Sequence, residues 1–355
     1  MKRKIIPIFV PHIGCPHDCI FCNQKKITGA GTDVTAESAE EIIKEHLSTI
    51  DAKNSIVEIA FFGGSFTAIE ESFQRSLLAV ASRYKKAGIV SDIRLSTRPD
   101  AIDGERLALL REYGVTIIEL GVQSLDGEVL SKSLRGHTSE DVFAAAALIK
   151  EWGFTLGLQL MVGLPGDTPQ KCIDTARKFI KMEPQLARIY PTLVVRDTAL
   201  ERLHAQGEYR ALEIEETIEI CKKLLVLLTG AGVNVIRIGL QPTEEISMGN
   251  QVVAGPLHPS LRERVESRIY RDYIESALPS KGQAETIRVF GSKKNMSKLV
   301  GNKRENITYL KSISAASVEM KEAKMADDAI AIEIDGEKRI VDISTVYLEL
   351  ERIYF

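Results

Sequence analysis

Through residue 238 the apolar positions keep two alternating rhythms. Short runs rich in branched and aromatic residues predict strands at Ile5–Val10, Ile56–Phe61, Asp92–Leu95, Thr116–Leu120, Phe154–Val162, Ala187–Tyr190 and Asn234–Ile238. Between them, apolar residues recur three and four apart over Thr35–Ile50, Ile69–Lys86, Ser139–Trp152, Thr168–Lys181 and Glu213–Leu228, which predicts helices. Asp103 is placed to cap one more, ending at Gly114. Repeated strand–helix units imply parallel strands with helices outside them. The expectation is an α/β fold, a partial or near-complete (β/α) TIM-type barrel. Chemistry in such barrels sits at the C-terminal strand ends. Gly63-Gly64, Arg98-Pro99-Asp100, Gly121-Val122-Gln123-Ser124 and Gly163-Leu164-Pro165-Gly166 each follow a predicted strand and would converge on one mouth. A doubly wound open sheet is the alternative, but its G-x-G-x-x-G fingerprint is absent.

The rhythm changes after residue 245. Leu261 to Ile274 is a charged helical stretch, and Pro279-Ser280-Lys281-Gly282 reads as a linker. Beyond it come a strand at Thr286–Phe290, short helices at Met296–Val300 and Asn306–Ile313, and strands near Ser317–Lys324, Ala329–Ile334 and Lys338–Ile343. The division expected is a core over residues 1–280 and a small α/β accessory module over 281–355.

Composition narrows the class. With 44% hydrophobic and 27% charged residues, the 355-residue chain is ordinary for a globular protein. A net charge of −3 gives no overall field for a polyanion. There is no run of about 18 apolar residues to cross a membrane, and the start lacks the features of a signal peptide. Three of the five cysteines are clustered, which suits a reducing, cytoplasmic compartment better than a disulfide framework. Cys172 and Cys221 fall in helical patterns and read as inert core thiols.

The clustered three stand in Cys15-Pro16-His17-Asp18-Cys19-Ile20-Phe21-Cys22, spaced C-x3-C-x2-C. Three thiolates hold three irons of a cubane [4Fe–4S] cluster and leave the fourth open, whereas a cluster that only carries electrons usually has four cysteines. An open vertex is a coordination site, as in catalytic zinc centres. On these residues alone, zinc with His12 or His17 as fourth ligand stays open, as do plain buried thiols.

Further motifs follow in order: Phe62-Gly63-Gly64-Ser65-Phe66, Ser96-Thr97-Arg98-Pro99-Asp100, Glu119 to Ser124, Arg135-Gly136-His137-Thr138, and Ile189 to Arg196. With the cysteine triad they resemble the radical S-adenosylmethionine (SAM) superfamily. Within it they are most similar to the radical SAM module of the elongator catalytic subunit. The resemblance implies a barrel of the radical SAM type. It also implies a [4Fe–4S] cluster on Cys15, Cys19 and Cys22, with SAM chelating the open iron. A low-potential electron donor then drives reductive cleavage to a 5′-deoxyadenosyl radical. It further implies that Gly63 and Gly64 let the backbone approach the methionyl amine, with Ser65 where superfamily members often carry an acid. Arg135, twelve residues after Gln123, pairs with the SAM carboxylate, Gln159 contacts the ribose or is instead a satisfied core amide, and Ser96 and Arg98 are lesser contacts. Phe21 packs beside the cluster or the adenine. Tyr190 and Arg196, after the sixth strand, are candidate catalytic residues facing substrate. His137 orders its loop rather than ionising.

Two features depart from that relative. The roughly 75 residues after 280 are too few for its acetyltransferase domain, and they show no acetyl-CoA loop. Residues 281–311 carry eight Lys or Arg against two Glu, a balance of +6. Their turn Gly301-Asn302-Lys303-Arg304 resembles the Gly-x-x-Gly loop of a KH-type RNA-binding module, with arginine in place of the last glycine. A solvated basic face is the other reading. The expected activity is radical SAM modification of a nucleobase in tRNA. Chemistry on a small molecule is one alternative, and a non-catalytic RNA-binding protein with a structural cluster or zinc is another. The sequence does not give the oligomeric state.

Overall fold

The computed structural model describes residues 2–10, 19–23, 34–51, 54–240, 246–279, 284–314 and 316–355. Seven parallel strands form the main sheet: β1 (Lys2–Val10), β2 (Ser55–Gly63), β3 (Asp92–Thr97), β4 (Ile117–Gln123), β5 (Thr155–Val162), β6 (Leu186–Pro191) and β8 (Asn234–Ile238), adjacent in that order. A two-residue β7 (Val194–Val195) pairs instead with β9 (Val252–Ala254). Long helices at Ala36–Thr49, Glu71–Lys86, Ser139–Glu151, Pro169–Met182 and Ile214–Gly230 connect the strands. Thr35, Asp103, Thr138 and Thr168 cap helix N-termini by accepting from backbone amides, the expected work of short polar side chains there. The result is an open partial barrel.

Each strand is two-faced. Ile59 and Phe61, Ile93 and Leu95, Ile118 and Leu120, Leu158 and Leu160, and Ile189 are buried in the core shared with the helices. The alternate residues turn to the concave face. Near the C-terminal ends, Phe62, Ser96, Gln123, Gln159, Met161 and Tyr190 are only partly buried, so the concave face is open at that rim.

The C-terminal segment builds a second sheet, ordered β11 (Ser317–Glu322), β10 (Thr286–Gly291), β12 (Ala329–Ile334) and β13 (Glu337–Asp342). β10 and β11 are parallel, joined through helices Met296–Val300 and Glu305–Ser314, while β12 and β13 run antiparallel. Helix Leu261–Ser276 lies between the two sheets, and the hydrophobic core continues through it. The sequence reading stopped at residue 343, but Ile343–Tyr354 forms a further helix packed on Ile214–Gly230. Val346 and Leu350 are its buried positions, and Tyr354 donates to Asp272 at 2.7 Å. Short helices at Gly127–Lys132 and Ala199–Ala205 were likewise not anticipated. The linker proposed at 279–282 lies, apart from Pro279, outside the described residues.

Candidate active site

Because the strands are parallel, their C-terminal ends form one rim. Cys15 lies outside the described residues, as do His12 and His17; Cys19 and Cys22 lie within them. The two cysteines share one tight turn, closed by the Cys22 amide donating to the Cys19 carbonyl at 2.9 Å. Neighbouring loops hold this turn down. The Ile20 amide donates to Ser133 O at 3.3 Å, and Ile20 O accepts from the Leu200 amide at 2.8 Å. The Asn23 amide side chain donates to Arg196 O at 3.1 Å. Ile20 also packs with Val194, Leu200, Tyr209 and Ala211, and Phe21 packs against that cluster.

Arg135 meets this turn from the loop after β4. Its Nη1 lies 3.2 Å from Cys19 Sγ, and its Nη2 donates to Gly121 O. Arg98 stands behind it, with Nη1 3.9 Å from the same sulfur and the guanidinium held by Asp100 at 2.9 and 3.2 Å and by Arg135 O. Burial alone would raise the Asp100 carboxyl, but the Arg98 guanidinium holds it below the ordinary range. Positive charge therefore sits where a metal-bound thiolate carries negative charge. His137 is buried beside them. Burial first, then Arg135 and Arg98, push its imidazole down to about 4, so it stays neutral as expected.

Gln123 ends β4 at a register irregularity against β5 and has φ of +69°. Bulges of this kind re-aim side chains beside active sites, and a bulky non-glycine residue at positive φ is uncommon. Its Oε1 is buried without a partner, as is Nε of Arg135. Unmet buried polar atoms on one rim, next to a cysteine turn, fit a polar cofactor such as SAM that would complete them. Gly63 has φ of +104°, and a Cβ there would lie 2.5 Å from Val10 O, while the Gly64 amide donates to that same oxygen at 3.1 Å. The need for glycine at 63 thus arises first from close packing on the end of β1, where the cysteine segment begins. Ser65 is buried and opens the short turn Phe66–Ala68.

Below the rim the concave face carries a chain of buried charges. Glu58 on β2 pairs with Arg3 and Arg94. Arg94 on β3 also donates to Glu119 on β4 at 2.9 Å. Glu119 accepts in addition from Arg188 on β6 through two nitrogens, one at 3.0 Å, and from Gln159 at 3.2 Å. Gln159 donates to Ser96 Oγ at 3.2 Å as well. Arg188 then donates to the Tyr190 hydroxyl at 3.3 Å and lies 5.1 Å from the Phe62 ring centre. Gly157 makes the space, since a Cβ there would lie 2.9 Å from Glu119 Cγ. Burial works against the Glu119 carboxylate, yet Arg188 and then Arg94 hold it below the ordinary range. Burial pushes the Tyr190 phenol up, partly countered by Arg188. Of this chain, sequence reasoning singled out Ser96, Gln159 and Tyr190 and missed the roles of Glu58, Arg94, Glu119 and Arg188. The available signal was a charge at alternate positions inside otherwise apolar strand runs.

Arg196 stands apart from that network. Its side chain donates to the carbonyls of Asn250 and Gly249, fixing the turn before β9. Cys172 and Cys221 are buried in helices, as expected of core thiols. Burial raises both thiols, Cys221 to about 12.

This fold and rim define the radical SAM superfamily, and the chain belongs to it: the superfamily matches residues 9–179, and the Radical_SAM C-terminal domain matches residues 184–271. The chain is accordingly a radical SAM enzyme, of a family that uses a [4Fe–4S] cluster and SAM. It is 31% identical over 233 residues to an uncharacterised protein of Methanocaldococcus jannaschii, covering 62% of this chain and 70% of that one. It is 30% identical over 196 residues to the tRNA uridine(34) acetyltransferase of the same organism, covering 50% of this chain and 36% of the relative. The chain thus aligns with little more than a third of that acetyltransferase. In structure it is similar to Elp3 of Methanocaldococcus infernus lacking residues 1–46, with a TM-score of 0.61 and 18% identity, over 97% of this chain and 75% of the other. That likeness establishes the shared fold. Among the described residues no helix is long and apolar enough to cross a membrane.

Proposed function

We propose that this enzyme modifies a nucleobase in tRNA, using a [4Fe–4S] cluster held by Cys15, Cys19 and Cys22. The observation that carries the reading is the convergence of the cysteine turn, Arg135 and the unmet Gln123 Oε1 on one rim of the parallel sheet. When bound and reduced by a low-potential donor, cluster and SAM supply a 5′-deoxyadenosyl radical. The residues of the chain bind and orient. The Arg135 guanidinium suits a carboxylate, which it can meet with two parallel donors. Gln123 offers an acceptor and a donor beside it. Gln159, fixed by Glu119, and Ser96, which accepts from Gln159, present hydrogen-bonding groups suited to ribose hydroxyls. Tyr190 and Phe62 give the open concave face an aromatic wall against which a flat base can pack. The tRNA assignment is supported by the relatives named as tRNA uridine(34) acetyltransferases. A reducing, cytoplasmic setting agrees with such a cluster and substrate.

Two measurements test this. Anaerobically reconstituted, reduced protein should convert SAM to 5′-deoxyadenosine; no cleavage would remove the radical chemistry. Nucleoside profiles of total tRNA from cells lacking the gene should lose one modified nucleoside. An unchanged profile would remove tRNA as substrate while leaving the SAM chemistry in place.

A further inference from the structure

The +6 balance of residues 281–311 is not a uniform basic face. Arg288 pairs with Glu319 and Glu333, Lys294 with Asp327, and Lys298 with Glu266. Charge is left over where the two short helices meet. Lys303 and Arg304 stand there, exposed, and among the described residues no carboxylate is paired with either; the same holds for Lys293 before the first helix and Lys311 within the second.

The turn carrying two of these cations is rigid. Gly301 has φ of +77°, and a Cβ there would lie 2.7 Å from Glu305 Cγ and 3.1 Å from the Asn306 amide nitrogen. The buried Asn306 side chain donates to Ser267 O and Oγ and to Leu299 O, tying the turn to helix Leu261–Ser276. Lys303 and Arg304 both stand at positive φ, +48° and +67°. Left-handed backbone is strained for an L-residue, and glycine would relieve it. The turn therefore keeps a backbone natural to glycine while carrying two cations.

A groove of about 440 Å³ runs between the turn and helix Leu261–Ser276, lined by Met296, Val300, Asn302, Lys303 and His258, with one carboxylate, Glu263, on its helix side.

We propose that the turn Gly301–Arg304 grips the phosphate backbone of single-stranded RNA, with Lys303 and Arg304 as the phosphate-binding cations. The occupant is RNA because two exposed cations without a paired carboxylate stand beside a partly apolar groove, which matches a sugar–phosphate chain with splayed bases. The inference rests on the tRNA reading above and adds where and how the RNA is held.

The test uses the reconstituted full chain and an unmodified tRNA transcript. Binding is measured over a salt series for the wild type, for K303A/R304A and for R304G. Each phosphate contact contributes a slope of about 0.7 in log K against log salt for single strands. The double variant should bind roughly tenfold more weakly, with the slope reduced by about 1.4. R304G should also bind more weakly, by about one contact, while its thermal midpoint is equal to or above wild type, which separates lost binding from lost folding. Formation of 5′-deoxyadenosine without RNA should be unchanged in both variants. Equal affinity and slope in wild type and K303A/R304A would overturn the RNA grip alone. A wild-type chain that binds no tRNA would overturn the grip and the tRNA reading together.

Discussion

Glu119→Gln is the sharpest test of how this barrel is held open and polar without collapsing. Glu119 is almost fully buried, and its carboxylate answers Arg94, Arg188 and Gln159. Arg94 keeps a second counter-ion in Glu58, but Arg188 has no other carboxylate beside it among the described residues. The substitution preserves shape and removes one charge, leaving a buried guanidinium with no counter-ion, facing only an amide, the Tyr190 hydroxyl and the Phe62 ring. Breaking a buried pair in this way costs about 3–5 kcal/mol. That is a large share of the roughly 5–15 kcal/mol by which domains are stable. At roughly 2–4 °C per kcal/mol in a domain this large, the midpoint should fall by about 10 °C. The pH dependence has a definite sign. Arg188 and Arg94 outweigh burial and depress the folded-state carboxyl below 4.5. The stabilisation is therefore fully present above 4.5 and is lost as the pH falls through the depressed value. Urea unfolding followed by circular dichroism, from about pH 7 down to about pH 2, should show the wild-type advantage constant to about pH 5 and shrinking below it. Adding Arg188→Met to the variant should recover part of the loss by removing the unpaired charge. A loss below about 1 kcal/mol at neutral pH, or an advantage independent of pH, would refute this account of the network.

Other predictions concern the rim. Replacing any of Cys15, Cys19 or Cys22 by Ala should abolish bound iron and the brown chromophore. Cys172→Ala and Cys221→Ala should leave both intact at a modest cost in stability, as read by iron content and melting. Arg135→Lys keeps the charge and loses the fork, so SAM affinity should fall roughly ten- to a hundredfold, the size of a charged hydrogen bond, with iron retained. Gly63→Ala forces a Cβ onto Val10 O at positive φ and should cost about 2–3 kcal/mol, with reduced cluster loading because the cysteine segment follows Val10 directly.

The strand–helix alternation was legible because each strand keeps one apolar face against the helices, and the observed strand ends differ from the expected ones by a few residues. The glycine and polar motifs were legible as a rim because parallel strands must deliver their ends to one side. The charge network was not legible. Glu58, Arg94, Glu119 and Arg188 lie on four strands that the chain visits at separations of 25 to 69 residues, so their pairing depends on register across the whole sheet. Gln159 stood out as a polar residue in an apolar run, but nothing local said that Glu119 would hold it. Helix Ile343–Tyr354 escaped because it follows β13 at once, with Asp342 the only boundary residue, although Val346 and Leu350 keep helical spacing. The basic tail was visible as a charge count. Its division into paired cations and an unpaired turn needed the acids that fold onto it from elsewhere in the chain.

Tyr190 and Arg196 entered as equivalent candidates, and their surroundings now separate them. Tyr190 lies on the concave face at the end of the charge chain, with its hydroxyl held by Arg188. Arg196 is exposed and pins the turn at Gly249 and Asn250, while its own carbonyl holds Asn23 beside Cys22. Tyr190→Phe removes one neutral acceptor, worth about 1 kcal/mol, and leaves Arg188 on Glu119, so folding and SAM binding should persist. If the hydroxyl meets substrate, 5′-deoxyadenosine should still form while modified nucleoside per SAM cleaved falls sharply. Arg196→Ala keeps the backbone bond to Asn23 but frees the turn at the mouth. It should weaken tRNA binding and leave the ratio of modified nucleoside to SAM cleaved unchanged. Tight coupling in Tyr190→Phe would place the substrate elsewhere than the aromatic wall of the barrel, whatever the effect of Arg196→Ala.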